Sequence, residues 1–203
     1  MNGQEIEVKF YVSDLRTIIA SLIKLNAELK YPRVHEVNLR FDTPDKELSS
    51  RYQVLRLRQD SRTRLTFKGP ATNEQGISKR QEIEFAVSDL DSAKDLLKAL
   101  GYDIFMMYEK YRTTYILDQC EIVLDEMPFG KFVEIEGPDA ETIKQTAGLL
   151  GLNWDTGCSE SYMTLFETFK NNRHKTMNDL SFAAFDGLNV RPQDLGLTPA
   201  NCN

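Results

Sequence analysis

Carboxylates stand at every second position in two short stretches, Glu5-Ile6-Glu7-Val8-Lys9 near the start and Phe132-Val133-Glu134-Ile135-Glu136 further on. In an extended strand alternate side chains share a face, so each pair of glutamates points the same way, about 7 Å apart. Oxygen-rich sites of that kind suit hard divalent cations such as Mg²⁺ or Mn²⁺. Lys9 adds a cation to the same face. Basic residues repeat the spacing at Arg56 and Arg58, at Arg62 and Arg64, and at Lys110 and Arg112. Lys68 extends the second of these rows, and Arg80 leads into Glu82 and Glu84. Guanidinium and ammonium groups at fixed spacing are what recognition of a polyanion requires.

The elements that must carry these residues are mostly strands. Period-two alternation of apolar and charged residues predicts strands at Glu5–Tyr11, Glu36–Asp42, Gln53–Gln59, Arg62–Lys68, Lys79–Val87, Met106–Leu117, Cys120–Glu126 and Phe132–Glu136. Thr43-Pro44-Asp45, Gly69-Pro70 and Asp118-Gln119 read as turns. Apolar residues at helical spacing predict a helix from an N-cap at Ser13 through Leu29, and others over Asp89–Leu100, Asp139–Leu150 and Ser159–Phe169. The expected class is α+β.

An ordinary sheet has one wet face, and any single charged strand fits that description. The whole set is sorted differently, with arginine lines on the central strands and carboxylate pairs on the first, fifth and last. Eight antiparallel strands also tend to close on themselves, because open edges invite aggregation. Closure with the helices outside puts the charged positions in the lumen. Burying so many charges without partners is prohibitive. A water-filled tunnel that takes a highly charged ligand and metal ions meets that requirement.

The order and spacing of these segments resemble the CYTH domain, or triphosphate tunnel metalloenzyme, family over about residues 3–169. Glu5-Ile6-Glu7-Val8-Lys9 is similar to that family's ExExK signature. The likeness runs on through Phe41-Asp42-Thr43-Pro44-Asp45, Leu55-Arg56-Leu57-Arg58, Leu65-Thr66-Phe67-Lys68-Gly69-Pro70 and Arg80-Gln81-Glu82-Ile83-Glu84. It closes with Glu109-Lys110-Tyr111-Arg112, Leu124-Asp125-Glu126, Gly130 to Glu136 and Ser161-Tyr162. The resemblance implies a closed eight-stranded antiparallel β-barrel with helices packed on its outside, binding a triphosphate and a divalent metal. By position it implies Glu5, Glu7, Asp125, Glu134 and Glu136 as metal residues. It implies Lys9, Arg56, Arg58, Lys68, Arg80, Lys110 and Arg112 as phosphate-binding residues. Lys9 is also the candidate to assist proton removal if its neighbours depress its pKa, although the carboxylates beside it push the other way. Arg40, Arg62 and Arg64 are placed at the rim, outside the site.

The resemblance covers several activities: hydrolysis of inorganic triphosphate, of thiamine triphosphate, or cyclisation of ATP to cyclic AMP and pyrophosphate. Hydrolysis is the leading expectation, because side chains suited to bind a triphosphate are abundant and no adenine pocket is identifiable. A non-catalytic polyphosphate- or nucleotide-binding module is the alternative of another class.

The rest of the composition narrows the field. With 203 residues, 41% hydrophobic and 28% charged, one compact domain over residues 1–170 is expected, with a tail at 171–203. The tail residues Leu180, Phe182, Phe185 and Leu188 are expected either to cap one tunnel mouth or to form a homodimer contact. A net charge of −6 argues against binding a nucleic-acid duplex. No apolar run is long enough to span a membrane. Three widely spaced cysteines and a start without a secretory pattern predict a reduced, cytoplasmic setting. Two histidines far apart make a His-rich metal site or a Ser-His-Asp triad a poor fit.

Overall fold

The structure, a computed structural model, describes residues 3–74 and 77–201, without the side chains of residues 3–5, 73, 74 and 77. The chain begins with β1 (Gly3–Val12), α1 (Leu15–Lys24), β2 (Glu28–Asp42), α2 (Glu47–Ser50), β3 (Val54–Gln59) and β4 (Thr63–Lys68). It continues with β5 (Thr72–Glu74), β6 (Ile77–Val87), α3 (Leu90–Ala99), β7 (Asp103–Leu117), β8 (Cys120–Met127) and β9 (Gly130–Glu136). Two helices close it, α4 (Ala140–Leu149) and α5 (Tyr162–Arg173). Eight strands form an antiparallel ring in the order β1-β9-β8-β7-β2-β3-β4-β6, and pairing of β1 with β6 seals it. The short β5 pairs with the start of β6.

The ring is apolar outside and charged inside, and the helices lie on the outer surface. Val8, Phe10 and Val12 of β1 pack with Ile122, Leu124, Val133 and Ile135 against Leu15, Ile18 and Leu22 of α1 and Ile143 and Ala147 of α4. On the far side Leu97 of α3 covers Phe41 and Leu57. Removing this apolar area from water is the main force that keeps the ring closed. Among the described residues no helix is long and apolar enough to cross a membrane.

Several expected boundaries shift. The first helix starts after Asp14, whose carboxylate accepts from the Arg16 amide, rather than after Ser13. It ends at Lys24 instead of reaching Leu29, because Asn26 takes a left-handed conformation (φ 56°) and Glu28 already pairs with Ile116. Leu29 therefore belongs to a fifteen-residue strand in which His35 is an interior position. The last helix begins after the Ser161 N-cap and runs to Arg173.

Residues beyond α5 strap the domain. Leu180 exchanges backbone hydrogen bonds with β7 where β8 has already ended: the Leu180 amide donates to Met107 O at 3.0 Å and the Glu109 amide to Leu180 O at 3.0 Å. Leu180, Phe185 and Leu195 are buried with Phe129, Phe132, Tyr162, Phe166 and Phe169. At its far end the Ala200 amide donates to Tyr11 O, and the Asn201 side chain accepts from the Ser13 amide.

Candidate active site

The ring encloses a cavity of about 870 Å³ whose wall carries eight lysine and arginine side chains: Lys9, Arg40, Arg56, Arg58, Lys68, Arg80, Lys110 and Arg112. Lys9, Arg56 and Arg58 arise from the alternation that sends Val8, Phe10 and Leu57 outward into the apolar shell. Glu7, Glu82, Glu84, Glu121, Glu134 and Glu136 share the wall, and Ser161 and Tyr162 bring the first turn of α5 to it.

Antiparallel register sets the pairs. Lys9 and Glu134 are direct cross-strand partners, with Nζ 3.0 Å from the carboxylate. Both are buried. Burial alone would push the Lys9 ammonium toward neutrality, but Glu134 and Glu7 outweigh it and hold its pKa above the usual lysine value. Glu134 is held well below the ordinary carboxylate range against its own burial by Lys9, Arg112 and Lys110.

Asp125 is fully buried and sits across from Arg112, which donates through Nε at 2.7 Å and Nη2 at 2.5 Å. Lys110 Nζ donates to the same carboxylate at 2.9 Å, and so does the Tyr162 hydroxyl at 2.9 Å. Arg112 also reaches Glu134 at 2.6 Å, so Lys9, Glu134, Arg112, Asp125 and Lys110 form one continuous network. The Tyr162 ring lies 4.6 Å from Lys9 Nζ and 5.5 Å from Lys110 Nζ, a cation–π contact with each.

On the opposite wall Arg58 donates to Glu84 at 2.9 Å and lies 3.5 Å from Glu36. Arg56 stands 3.7 Å from Glu84, and Lys68 2.9 Å from Glu82. Buried Glu36 is brought down to about 2 in spite of its burial, chiefly by Lys110, Arg112 and Arg58.

The carboxylates expected to hold a metal fall into two groups. Glu134 and Asp125 have their oxygens engaged by cations. Glu7 and Glu136 are direct cross-strand partners on the cavity wall, and Glu121 lies opposite Glu136 in the next strand. Glu5 is on β1 in register with Arg80, and its side chain lies outside the described residues. Among the described residues no three metal-ligating side chains converge into a cage of their own. The donor set still fits magnesium or manganese. Carboxylates directly opposed across strands repel and Arg80 reaches Glu7 only at 4.0 Å, and such ions take one or two carboxylates plus substrate oxygens rather than a full protein cage.

Two placements depart from expectation. Arg40, expected at the rim, lines the cavity, and Arg64 points the same way, paired with Asp60 and 3.7 Å from Glu84. Only Arg62 of that trio is exposed. Tyr108 is a buried wall residue with no signal in the sequence beyond its period-two relation to Lys110. Its hydroxyl accepts from Arg56 Nη1 at 3.3 Å.

Residues 3–149 match the CYTH domain family. Adenylate cyclase CyaB of Aeromonas hydrophila is 27% identical over 177 residues, covering 80% of this chain and 88% of that protein. A Vibrio parahaemolyticus structure superposes with a TM-score of 0.73 at 21% identity, covering 82% of this chain and 99% of its own, which shows the same fold. A Hippeastrum protein described as having a dominant triphosphatase activity superposes with a TM-score of 0.62 at 19% identity, over 85% of this chain and 97% of its own.

Proposed function

The chain belongs to the CYTH domain family, and from that premise we propose that it hydrolyses a triphosphate, inorganic or carried on a small organic group, with Mg²⁺ or Mn²⁺ in the tunnel. The observation that carries this reading is the set of eight lysine and arginine side chains around one cavity, with Glu7 and Glu136 opposed at its side. A linear triphosphate offers anionic oxygens in a row to lysine and arginine side chains that converge on one cavity, beside the carboxylates they already touch.

In this reading Lys9, Arg56, Arg58, Lys68, Arg80, Lys110 and Arg112 take the phosphate oxygens. Arginine forks fix orientation and lysines add point charge. Glu7 and Glu136, with Glu5, hold the metal ion. When bound, it supplies Lewis-acid polarisation and charge neutralisation at phosphoryl oxygens. Glu134 and Asp125 act as anchors: their oxygens are taken by Lys9, Arg112, Lys110 and Tyr162, which fixes those cations before substrate arrives. Phosphoryl transfer asks chiefly for positioning and preorganised charge, and this network provides both. Lys9 remains an ammonium beside Glu134, so it stabilises charge in the transition state and does not accept the proton of the attacking water.

A cyclase reading is favoured by the Aeromonas relative's name and by a cavity roomy enough for a nucleoside beyond the phosphates. Incubation with triphosphate, thiamine triphosphate and ATP, each with Mg²⁺ or Mn²⁺, separates the two. Phosphate release from triphosphate is the expected result, and cyclic AMP as the main product would reverse the order.

A further inference from the structure

Each other described cation on the cavity wall has a carboxylate within 4.0 Å, and Arg40 does not. Among the described residues Arg40 makes no ion pair or hydrogen bond, and its Nε is buried without a partner. The acid nearest in sequence, Asp42, is committed: its oxygens accept from the amides of Thr43, Leu48 and Ser49 and from the Ser49 hydroxyl. What touches the guanidinium is a ring, Phe105, at 5.6 Å. Phe105 is the extra residue where the β2–β7 register shifts between Arg40/Met106 and Phe41/Ile104, a bulge of the kind that re-aims side chains beside sites.

Register sets Arg40 directly opposite Arg56 on β3. Like charges across a strand pair are unfavourable. Burial and the nearby Arg56 and Arg80 accordingly hold the Arg40 pKa below the ordinary arginine value. Tyr108 completes the group. Its hydroxyl oxygen accepts from Arg56, so its own proton must go elsewhere, and no described residue accepts it. A buried donor without an acceptor is uncommon in a finished structure. The Nε groups of Arg40 and Arg56, both buried without a partner, and the Tyr108 hydroxyl proton are thus donors on this part of the wall that no described residue receives.

We propose that Arg40, Arg56 and Tyr108 form a distinct phosphoryl subsite that takes one end of a chain of three phosphates. The inference rests on the triphosphate reading above and adds which residues set the length of the chain. Along β2, Arg40 lies four positions from Glu36, the partner of Lys110, or about 13 Å of strand. A diphosphate seated on Lys9, Lys110 and Arg112 would leave Arg40 unserved, and a third phosphoryl group extends the chain toward the Arg40 guanidinium, whose long side chain covers the rest of the separation.

The test compares the full-length protein with Arg40→Met, Arg40→Lys and Tyr108→Phe, titrated calorimetrically with triphosphate and with pyrophosphate in EDTA. Arg40→Met is expected to weaken triphosphate binding about tenfold or more, the loss of one charge-assisted contact, with pyrophosphate affinity unchanged. Arg40→Lys recovers part of it, and Tyr108→Phe costs a smaller factor. Removing an unpaired cation should also raise the Tm of the free protein while shrinking the Tm gain from triphosphate, which a merely structural role would not do. If the unaltered protein binds triphosphate and Arg40→Met binds it equally well, or loses both anions equally, the subsite assignment falls and the triphosphate reading stands. If the unaltered protein binds neither anion, both fall.

Discussion

Lys9 and Glu134 face each other across β1 and β9, with 3.0 Å between ammonium and carboxylate and both side chains withdrawn from bulk solvent. The pair joins the first charged strand of the chain to the last, and through Arg112 and Asp125 it reaches the β7–β8 wall. Removal of one partner leaves the other charge buried alone. Lys9→Met and Glu134→Gln should each destabilise the fold by about 3–5 kcal/mol, and the double variant by less than the sum of the two. Urea unfolding of the four proteins measures the coupling, and strict additivity would mean that the two groups do not interact.

Glu36 gives a pH signature. Its carboxyl is depressed from the ordinary 4.5 to about 2 by Lys110, Arg112 and Arg58, which overcome its burial. The unfolded chain therefore binds more protons than the folded one between those values. Stability from this group is complete above pH 4.5 and drains away as the pH falls toward 2. In Glu36→Gln the slope of stability against pH should be flatter across that window. An unchanged slope in chemical denaturation at several acid pH values would count against the assignment.

Asp42 anchors the turn that leads into β3. Its carboxylate accepts from the Thr43, Leu48 and Ser49 amides at 2.8–2.9 Å, and it is buried. Asp42→Ala should cost about 1–3 kcal/mol, since buried donors lose their acceptor. Hydrogen exchange at Leu48 and Ser49 should accelerate more than at β8, which shares none of these bonds.

Triphosphate with Mg²⁺ should raise the Tm in a concentration-dependent way, by an amount equivalent to about 2.7 kcal/mol at a hundredfold excess over Kd. EDTA should remove the metal-dependent part. Glu7→Gln should abolish turnover and the metal-dependent gain, and keep the gain from triphosphate alone. Thermal scans and phosphate release on the same samples check this, and full turnover by Glu7→Gln would remove Glu7 from the metal set.

The strap beyond α5 should matter to stability out of proportion to its length. Leu180 is fully buried against β7 and the aromatic cluster, so Leu180→Ala should cost about 2–5 kcal/mol. A shift in the urea midpoint of less than that would mean the strap rests on the domain without locking it.

Alternation alone was enough to assign faces. Glu7 with Lys9, Arg56 with Arg58, and Lys110 with Arg112 were readable as shared faces, because the side-chain period of a strand is a local property of the backbone. The helix N-caps Asp89, Asp139 and Ser161 were similarly close to their expected places, since a cap is a contact between near neighbours. The end of α1 was missed because Asn26 in a left-handed turn, and a strand starting at Glu28, answer to pairing with Ile116 almost ninety residues away.

What each charge faces was settled only by the folded ring. Asp125 and Glu7 look alike along the chain, yet one is saturated by Lys110, Arg112 and Tyr162 while the other lies opposite Glu136. Arg40 and Arg58 look alike as well, yet register gives Arg58 the carboxylates of Glu36 and Glu84 and sets Arg40 across from Arg56. The sequence by itself determined the charge inventory and the side of each strand on which it lies. Tertiary structure decided which of those charges are spent on one another and which are left for a ligand, because cross-strand partners are set by long-range register that no local period contains.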